Sequence, residues 1–403
     1  MQLSSNYEVV TATSFKEIEA IRLIWEQMQH SEPYPVPNAD IDRYLSVVRA
    51  KGKGVQPYVM LVRDNGCPAA MVICRIEKHQ FKCKIGYWTI CKPRLRCLSV
   101  IYGGISGQPS SSACAKIVQH FQEILKQRVV DVVFLNQVRT DSNIHEAVRK
   151  ATGYLCRSHC QKSQQHWQTL IPYPLNGFKG IVSKKHRHDI QRCIRNLEKA
   201  CSGPVEVVCY SQQEDIDEFV KVSSRISALT YQGQIGEVSI AGPVTRALLK
   251  QAQEDGWLRA YVLYAGREPI AFEFGSVYED GYFAETAGFD NRWKAYGPGT
   301  ILQLKIFERL SRDDKVLKYD YGFGDATYKQ RFGTVSWPEV SVHIFAPRLH
   351  PLFVNATRSF VMGMNQGLGY FTNKIGSVGW IKRRWRNVLK KSSKKLAWSA
   401  DDT

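Results

Sequence analysis

One order of elements occurs twice along the chain, and it constrains the fold more than any other feature of the sequence. The first run passes from antiparallel strands through "YGGISG" and the helix "IVQHFQEILKQR" to the strand "VVDVVFL". The second passes from antiparallel strands through "YGPGT" and the helix "ILQLKIFERLSRDD" to the strand "KVLKYDY". Residue identity between the two runs is low, so the shared order is the signal. It predicts two related domains in tandem.

Turn residues and alternation predict the class of these domains. "PYVMLVRDNGCPAAMVICRIE" is a strand, an Asn-Gly turn and a second strand, and residues 258–290 contain three strands joined by Ala-Gly and Asp-Gly turns. We therefore expect an α+β (mixed α/β) fold of two tandem domains, each with a mostly antiparallel central sheet flanked by helices. Prolines and glycines in "LIPYPLNGFKG" mark the seam. The predicted domains are residues 1–175 and 176–350, followed by a basic tail at 351–403.

The positive charge of the chain is local. Of a formal net charge of +18, the segment 374–395 carries nine Lys/Arg and no acid, and the segment 179–199 carries seven Lys/Arg against two acids. Part of the second segment, "SKKHRHDIQRCIRNLEKA", predicts a helix at the start of the second domain. Its basic face holds Lys184, His188, Arg192, Arg195 and Lys199, opposite Ile190, Ile194 and Leu197. This face is either solvated or a basic wall beside an anionic ligand.

The basic tail has three interpretations. "WIKRRWRNVLKKSSKK" is compatible with an amphipathic helix, which can remain in solvent, contact an anionic membrane surface or bind nucleic acid. The start "MQLSSNYEVV" shows no secretory signal, and no apolar run reaches the roughly 18 residues of a membrane span. We expect a cytoplasmic location, with possible peripheral contact at the inner face of the membrane.

The eleven cysteines argue against a metal site. None forms a C-x-x-C pair, and "CRSHC", which contains His159, has no second ligand pair elsewhere. Structural zinc sites need four ligands at tight spacings. We expect reduced thiols and no metal.

The segment "KAYGPGT" predicts an anion site. A glycine turn that leads into a helix directs backbone N–H groups and the positive end of the helix dipole at one place. Gly297 and Gly299 allow a pyrophosphate to approach closely, and Lys294 supplies charge. An ordinary turn is the alternative. The segment matches neither the P-loop pattern nor G-x-G-x-x-G.

The same residues resemble a known family. Lys294-x-x-Gly297-x-Gly299 at the head of a helix, after three antiparallel strands, is similar to the acyl-CoA pyrophosphate loop of the GNAT acetyltransferases, which usually have Gln or Arg at the first position. "YVLYAGREPIAFEFG", "AYGPGT", "YDYGFGDATYKQRFG" and "VSVHIFAP", in that order, resemble the GNAT-like acetyltransferases of the CelD/BcsL type, which are associated with cellulose and exopolysaccharide synthesis. The tandem plan also resembles the FemAB peptidyltransferases.

The resemblance implies an acyltransferase that moves an acyl group from acetyl-CoA or another acyl-CoA to an amine or hydroxyl of a small-molecule or saccharide acceptor. It implies that Lys294, Gly297, Gly299 and Thr300 bind the cofactor. FemAB-like enzymes take the acyl group from aminoacyl-tRNA instead, so an aminoacyl-tRNA-dependent transferase is the alternative. A non-enzymatic nucleic-acid-binding or scaffold protein is the third hypothesis; no RNP-like or helix-turn-helix pattern supports it, and nucleic acid is not expected as a partner.

Acyl transfer needs a base, an acid and an oxyanion stabiliser, and the candidates lie near "YDYGFGDATYKQRFG". Asp325 ends a strand, Tyr328 is the candidate proton donor to the thiolate, and Lys329 would neutralise a phosphate or an oxyanion. Glu285, on the strand before the glycine turn, is a candidate base. The alternatives are that Asp325 caps a short helix, Tyr328 belongs to the core and Lys329 is solvated; Asp320 is a reserve candidate.

Overall fold

The computed structural model describes residues 6–85, 88–158, 161–171, 182–230 and 240–374. Strands of the first half are β1 (Tyr7–Ala12), β2 (Val55–Asp64), β3 (Cys67–Gln80), β4 (Cys83–Ile85), β5 (Trp88–Cys91), β6 (Arg94–Ser106), β7 (Val132–Arg139) and β8 (Gln164–Leu170). Strands of the second half are β9 (Val205–Tyr210), β10 (Leu258–Ala265), β11 (Glu268–Tyr278), β12 (Gly281–Phe289), β13 (Lys318–Phe323) and β14 (Val335–Phe345).

The helices flank these strands. In the first half they are α1 (Phe15–Ala20), α2 (Arg22–His30), α3 (Ile41–Lys51), α4 (Ser111–Lys126) and α5 (Asn143–Ala151). In the second half they are α6 (Lys184–Cys201), α7 (Asp215–Leu229), α8 (Pro243–Glu254), α9 (Pro298–Leu310), α10 (Thr327–Phe332) and α11 (Leu349–Lys374). Within these described ranges, none of the helices is both long and apolar enough to span a bilayer.

Twelve strands form one continuous sheet, in the order β1-β2-β3-β6-β7-β14-β8-β13-β12-β11-β10-β9. The mixed α/β class with a mostly antiparallel sheet is confirmed. Two antiparallel hairpin sets, β2-β3-β6 and β10-β11-β12, are each followed by a helix and a parallel strand, β7 and β13. The repeated order of elements is therefore present in the fold.

The two halves exchange their last strands. β8 follows β7 in the chain but pairs with β13, whereas β14 follows β13 but pairs with β7. β8 and β14 pair with each other, so the expected two sheets are joined into one. The predicted boundary at 175/176 lies outside the described residues and stays a prediction.

Each half contains a fork between its parallel strands. The β12–β13 ladder contains only the pairs Gly281–Lys318, Tyr282–Tyr319 and Phe283–Asp320, although both strands continue. A register shift opposite Phe274/Gly275 leaves Glu285 as the extra residue of a bulge just beyond the last pair. The β6–β7 ladder also ends early, at Val100–Leu135.

One alignment made from the sequence is wrong. "YGGISG" was matched to the glycine turn "YGPGT", but Tyr102–Ser106 lie inside β6, and the turn before α4 contains Gly107 to Ser110. Glycine is needed at position 103 within the strand itself, because its φ is +68° and a Cβ there would overlap the side chain of Val36.

Candidate active site

A basic cavity of about 760 Å³ lies where α6, the turn Asn291–Tyr296, the start of α9 and α10 meet. Four basic side chains line it, those of Lys185, Arg192, Lys294 and Arg331, together with one carboxylate, that of Asp189. Gly297 and Thr300 line it as well. The predicted residues Lys294, Gly297 and Thr300 therefore line one cavity. Helix α6, whose basic face the sequence left as either solvated or a wall beside an anionic ligand, lines the same cavity.

The N-terminus of α9 is left open toward this cavity. Its N-cap residue, Gly297, has φ +64° and ψ +49°, a left-handed conformation that glycine adopts without strain, and no side chain caps the helix. The N-terminus of the equivalent helix in the first half, α4, is capped, because the Ser110 side chain accepts a hydrogen bond from the backbone N–H of Ala113. Of these two equivalent helices, α9 therefore presents an uncapped terminus beside clustered cations and α4 does not.

Gly299 has a different role from Gly297. A Cβ at Gly299 would lie 3.5 Å from the ring of Phe289, which is ordinary van der Waals contact. Packing therefore does not require glycine here, and the residue stays a predicted contact for the ligand.

Most of the cations of the basic cavity are not neutralised by the protein. Arg192 pairs with Asp189 at 3.2 Å, whereas Lys185, Lys294 and Arg331 have no ion-pair partner in the described part of the chain. Like charges held together without partners repel one another, so an anion that binds among them is stabilised by all of them. Sequence reasoning missed Lys185 and Arg331, although "SKK" and "YKQRF" contain them.

The predicted basic face of α6 is confirmed. Ile190 and Leu197 are buried, and the opposite face, made of Lys184, His188, Arg192, Arg195 and Lys199, is exposed. Only Arg192 of that face also lines the basic cavity. The helix therefore presents cations both to the cavity and to bulk solvent.

Asp325, between β13 and α10, and Tyr328, on α10, are exposed. Asp325 accepts a hydrogen bond from Trp167 Nε1 at 3.0 Å and does not cap α10, whose N-cap residue is Ala326. Tyr328 is 43% exposed, so it is not a core residue, and its ring lies edge-on to that of Tyr321. Partial burial of the side chain raises the pKa of Tyr328 to about 12. The phenol is therefore protonated at neutral pH and able to act as an acid.

The Lys329 ammonium group is hydrogen-bonded to the backbone at the end of β13. Its Nζ donates hydrogen bonds to the carbonyl oxygens of Tyr321, Gly322 and Phe323 at 2.9, 3.2 and 3.0 Å. An ammonium group has three hydrogens, and all three have acceptors here. The side chain is buried, which lowers its pKa, so the alternative of a solvated lysine is wrong.

Glu285 lies on the opposite face of the sheet, against the first half of the chain. Arg43 of α3 pairs with it at 2.7 Å, and Ser276 Oγ donates to it at 2.9 Å. No contact joins Glu285 to Asp325, Tyr328 or Lys329 within the described residues. The structure brings those three together on β13 and α10, and it places Glu285 on its own beyond the last pair of the β12–β13 ladder.

A buried array of charges, formed by His166, Asp320 and Glu339, was not predicted. His166 Nε2 lies 2.9 Å from both carboxylate oxygens of Asp320, and His166 Nδ1 lies 3.2 Å from Glu339 Oε2. Tyr34 and Gln168 also donate hydrogen bonds to Asp320. The sequence named Asp320 only as a reserve candidate, because its partners come from strands more than 150 residues away.

The array holds one positive charge between two negative charges. Burial by itself would lower the pKa of His166, but hydrogen bonds to Asp320 and Glu339 outweigh it and raise the pKa to about 9. Burial would raise the pKa of Asp320, and the bond from His166 lowers it instead. An imidazolium ion that donates to both carboxylates satisfies these contacts. The array carries a net charge of −1.

An acidic cavity of about 680 Å³ opens beside the array, in the β6–β7 fork of the first half. Four side chains lie in its wall next to residues 136–139 of β7, those of Glu339, Gln168, Tyr34 and Trp337.

The wall of the acidic cavity contains two carboxylates, Glu32 and Glu339, and one basic residue, Arg139. Neutral amide and hydroxyl groups complete the lining, those of Ser106, Gln108, Ser142 and Asn143. With Arg139 as its one basic side chain, with Glu339 bonded to His166 and with the pKa of Glu32 raised by burial, the cavity lacks the clustered cations that suit a phosphate and suits a ligand rich in polar groups.

The ten described cysteines are free thiols. His159 and Cys160 of "CRSHC", where reduced thiols and no metal are expected, lie outside the described residues.

Comparison with known families identifies the second half. Residues 184–330 match the family described as "Acetyltransferase (GNAT) domain". This segment runs from the start of α6 into α10 and contains Lys294, Gly297, Gly299, Thr300 and the four catalytic candidates. The chain therefore carries a GNAT acyltransferase domain and is an acyltransferase. No curated protein sequence matches the chain significantly.

Solved structures share the fold of most of the chain. FemX aligns with a TM-score of 0.52 and 11% identity over 79% of this chain and 95% of its own. A conserved protein of unknown function from Bacteroides thetaiotaomicron aligns with a TM-score of 0.51 and 10% identity, over 83% and 100%. A tandem GNAT protein from the clavulanic acid biosynthesis pathway aligns with a TM-score of 0.50 and 11% identity, over 85% and 100%. At these identities the likeness concerns the fold alone.

Proposed function

We propose that this acyltransferase uses acetyl-CoA or another acyl-CoA as donor and transfers the acyl group to an amine or hydroxyl acceptor bound in the acidic cavity. The observation that carries the proposal is the uncapped N-terminus of α9, surrounded by Lys185, Lys294 and Arg331. Backbone N–H groups, a helix dipole and unpaired cations together bind the pyrophosphate. The acidic cavity has the opposite charge balance, so donor and acceptor sites are distinct.

The array links the last pair of the β12–β13 ladder to the acidic cavity. Asp320 forms the last pair of the ladder and bonds His166, and His166 bonds Glu339 in the wall of the acidic cavity. In the proposed reaction the acceptor attacks the thioester carbonyl, a C–N or C–O bond forms, and the C–S bond breaks. Tyr328 protonates the leaving thiolate. The acceptor's proton passes to a carboxylate, for which Asp325, Glu285 and Glu339 are the candidates.

The acceptor we propose is a saccharide, for exopolysaccharide or cellulose synthesis. Two arguments support it: the resemblance to the CelD/BcsL type, and the amide and hydroxyl groups of the acidic cavity, which suit a ligand rich in hydroxyls. A cytoplasmic location fits a donor that is acyl-CoA. Candidate sugars, tested one at a time with acetyl-CoA and followed by release of free thiol, identify the acceptor.

Calorimetric titration with acetyl-CoA tests the donor. We expect Lys185→Ala, Lys294→Ala and Arg331→Ala each to weaken binding about tenfold, equivalent to about 1.4 kcal/mol, because all three cations line the basic cavity. Lys199→Ala is the matched control, because Lys199 is an exposed residue of the same helix outside the basic cavity. Failure of the wild-type chain to bind, or equal losses in all four variants, would contradict the proposal.

The exposed face of α6 favours a second candidate, an aminoacyl-tRNA donor. Arg195 and Lys199 point to solvent, away from the basic cavity, where they can contact a polyanion. Salt-dependent binding of tRNA that is lost in Arg195→Glu/Lys199→Glu, together with no binding of acetyl-CoA, would favour this donor.

A further inference from the structure

Helix α11 packs on the first half of the chain through one face. Val354 and Val361 are buried. Asn355 Nδ2 donates to the carbonyl oxygens of Leu155 and Arg157 at 2.9 and 3.1 Å, and the Arg358 guanidinium lies 5.0 Å from the centre of the Phe81 ring. The helix is thus fixed in its rotation about its own axis.

The opposite face of α11 is an exposed apolar stripe, which we call the outer stripe. It consists of Leu349, Phe353, Phe360 and Met364, whose side chains are 91%, 71%, 67% and 37% exposed. Spacings of four, seven and four residues place them on one side of a helix. Leu155, itself 71% exposed, adjoins the helix through the bond from Asn355. A soluble monomer seldom exposes so many large apolar side chains together, and such patches mark interaction surfaces.

Cations outnumber acids around the outer stripe, where the one carboxylate that the described residues place at the start of α11, that of Asp131, is paired with Arg348 at 2.8 Å. The sequence contains no Asp or Glu from residue 78 to 122, nor from residue 340 to 400. Asn365 Nδ2 donates to the carbonyl of Lys84 at 2.6 Å, which places the β4 strand beside the end of α11. Exposed cations on and next to this strand are Lys82, Lys84, Lys92, Arg94 and Arg96. The segment 375–403, outside the described residues, begins where α11 ends and adds eight Lys/Arg before its first acid at Asp401.

We propose that the outer stripe and the surrounding cations dock this protein on the surface of an anionic phospholipid bilayer. Leucine and phenylalanine side chains enter the interfacial region, while lysine and arginine are attracted to lipid phosphates, each worth about 1 kcal/mol near the surface. The bilayer is favoured over other occupants because it satisfies both components. A second copy of the chain would bring like charges together, and nucleic acid would leave the exposed leucine and methionine without apolar partners.

This proposal is independent of the donor and acceptor proposed above. It concerns α11 and its neighbours, which contribute nothing to the basic cavity or to the acidic cavity.

Vesicle co-sedimentation of the full chain tests the proposal. We expect the wild type to partition at least tenfold more strongly to vesicles of phosphatidylglycerol and phosphatidylcholine than to vesicles of phosphatidylcholine alone. Phe353→Glu/Phe360→Glu should weaken the partition at least tenfold, because it puts two acids in place of the stripe's aromatic rings. Leu23→Glu is the matched control, since Leu23 is also exposed but lies on α2.

The expected outcome is loss in the double variant and none in the control, with a circular dichroism melt like that of the wild type in both. Equal partition of the double variant and the wild type would overturn the role of the stripe. A wild-type chain that does not bind anionic vesicles would overturn the proposal altogether. A wild-type dimer in analytical ultracentrifugation that Phe353→Glu/Phe360→Glu converts to monomer would assign the stripe to a second copy instead.

Discussion

His166 and Asp320 lie 2.9 Å apart on adjacent strands that come from different halves of the chain. On its other side, the same imidazole lies 3.2 Å from Glu339 of β14. These three strands, β13, β8 and β14, are the ones through which the halves are interleaved. One protonated ring therefore joins the halves at the centre of the sheet, where a purely apolar contact would have been the ordinary solution.

The first prediction concerns the pH dependence of stability. An unfolded histidine has a pKa near 6.5, whereas that of folded His166 is about 9. The protonated ring therefore contributes its full stabilisation below about pH 6.5, and this contribution is lost as the pH rises through 9; its upper limit is about 3 kcal/mol. Urea unfolding between pH 6 and 10 should show this decline. His166→Gln should remove it, and an unchanged slope in the variant would refute the assignment.

The second prediction concerns Glu273, a buried carboxyl group on β11. Burial raises its pKa to about 7, although hydrogen bonds from Tyr319 and Tyr282, at 2.5 and 3.3 Å, partly oppose this. Because the folded pKa is above the unfolded value of about 4.5, the stability that the protonated group contributes is full below about pH 4.5 and is lost as the pH rises through 7. We expect Glu273→Gln to raise the free energy of unfolding at pH 9 by up to about 3 kcal/mol and to change it little at pH 4. A variant that is no more stable at pH 9 would contradict this.

The third prediction separates structure from chemistry at Lys329. Lys329→Met leaves three carbonyl oxygens at the end of β13 without their donor, and we expect a loss of about 3 kcal/mol, seen as a lower Tm. Lys315→Met, at an exposed lysine, should leave the Tm unchanged. If Lys329→Met kept the wild-type Tm but lost activity, Lys329 would act in catalysis, as the sequence suggested.

The fourth prediction concerns the pair Arg43–Glu285. Removing one partner of a buried ion pair typically costs about 3–5 kcal/mol, because the other charge stays buried without compensation. Arg43→Met and Glu285→Gln should therefore each destabilise the protein, and the double variant should recover part of the loss in a double-mutant cycle. Additive losses would show that the two side chains are not coupled. If Glu285 is the base, Glu285→Gln should lower kcat by more than the fraction of unfolded variant accounts for.

The fifth prediction concerns Tyr328 as the acid. Tyr328→Phe should lower kcat by about a hundredfold and leave the Kd of acetyl-CoA unchanged, because the lost group acts on the leaving thiolate and not on the phosphates. Calorimetry gives the Kd, and thiol release gives kcat. A wild-type kcat in this variant would remove Tyr328 from the mechanism.

Part of the site could be predicted from the sequence because its conformation depends on residues that are close together in the chain. Turn chemistry and helical periodicity predicted the glycine turn at Gly297, the helix that follows it and the basic face of α6, because each depends on residues within a few positions of one another. The error at Tyr102 has a local cause too: a glycine pair inside a long strand has the same composition as a turn.

The remainder depends on contacts between distant parts of the chain. Arg331 and Lys185 meet at the basic cavity only because α10 and α6 pack beside α9. Lys329 is buried only because its ammonium group lies against the backbone carbonyl groups at the end of β13. By itself, the sequence determined the repeated order of elements, the hairpins and the glycine turn, since propensity and periodicity act over short spans. Only the tertiary structure decided the exchange of β8 and β14 and the array around His166, because strand pairing across 150 residues depends on the packing of the whole sheet and leaves no local pattern.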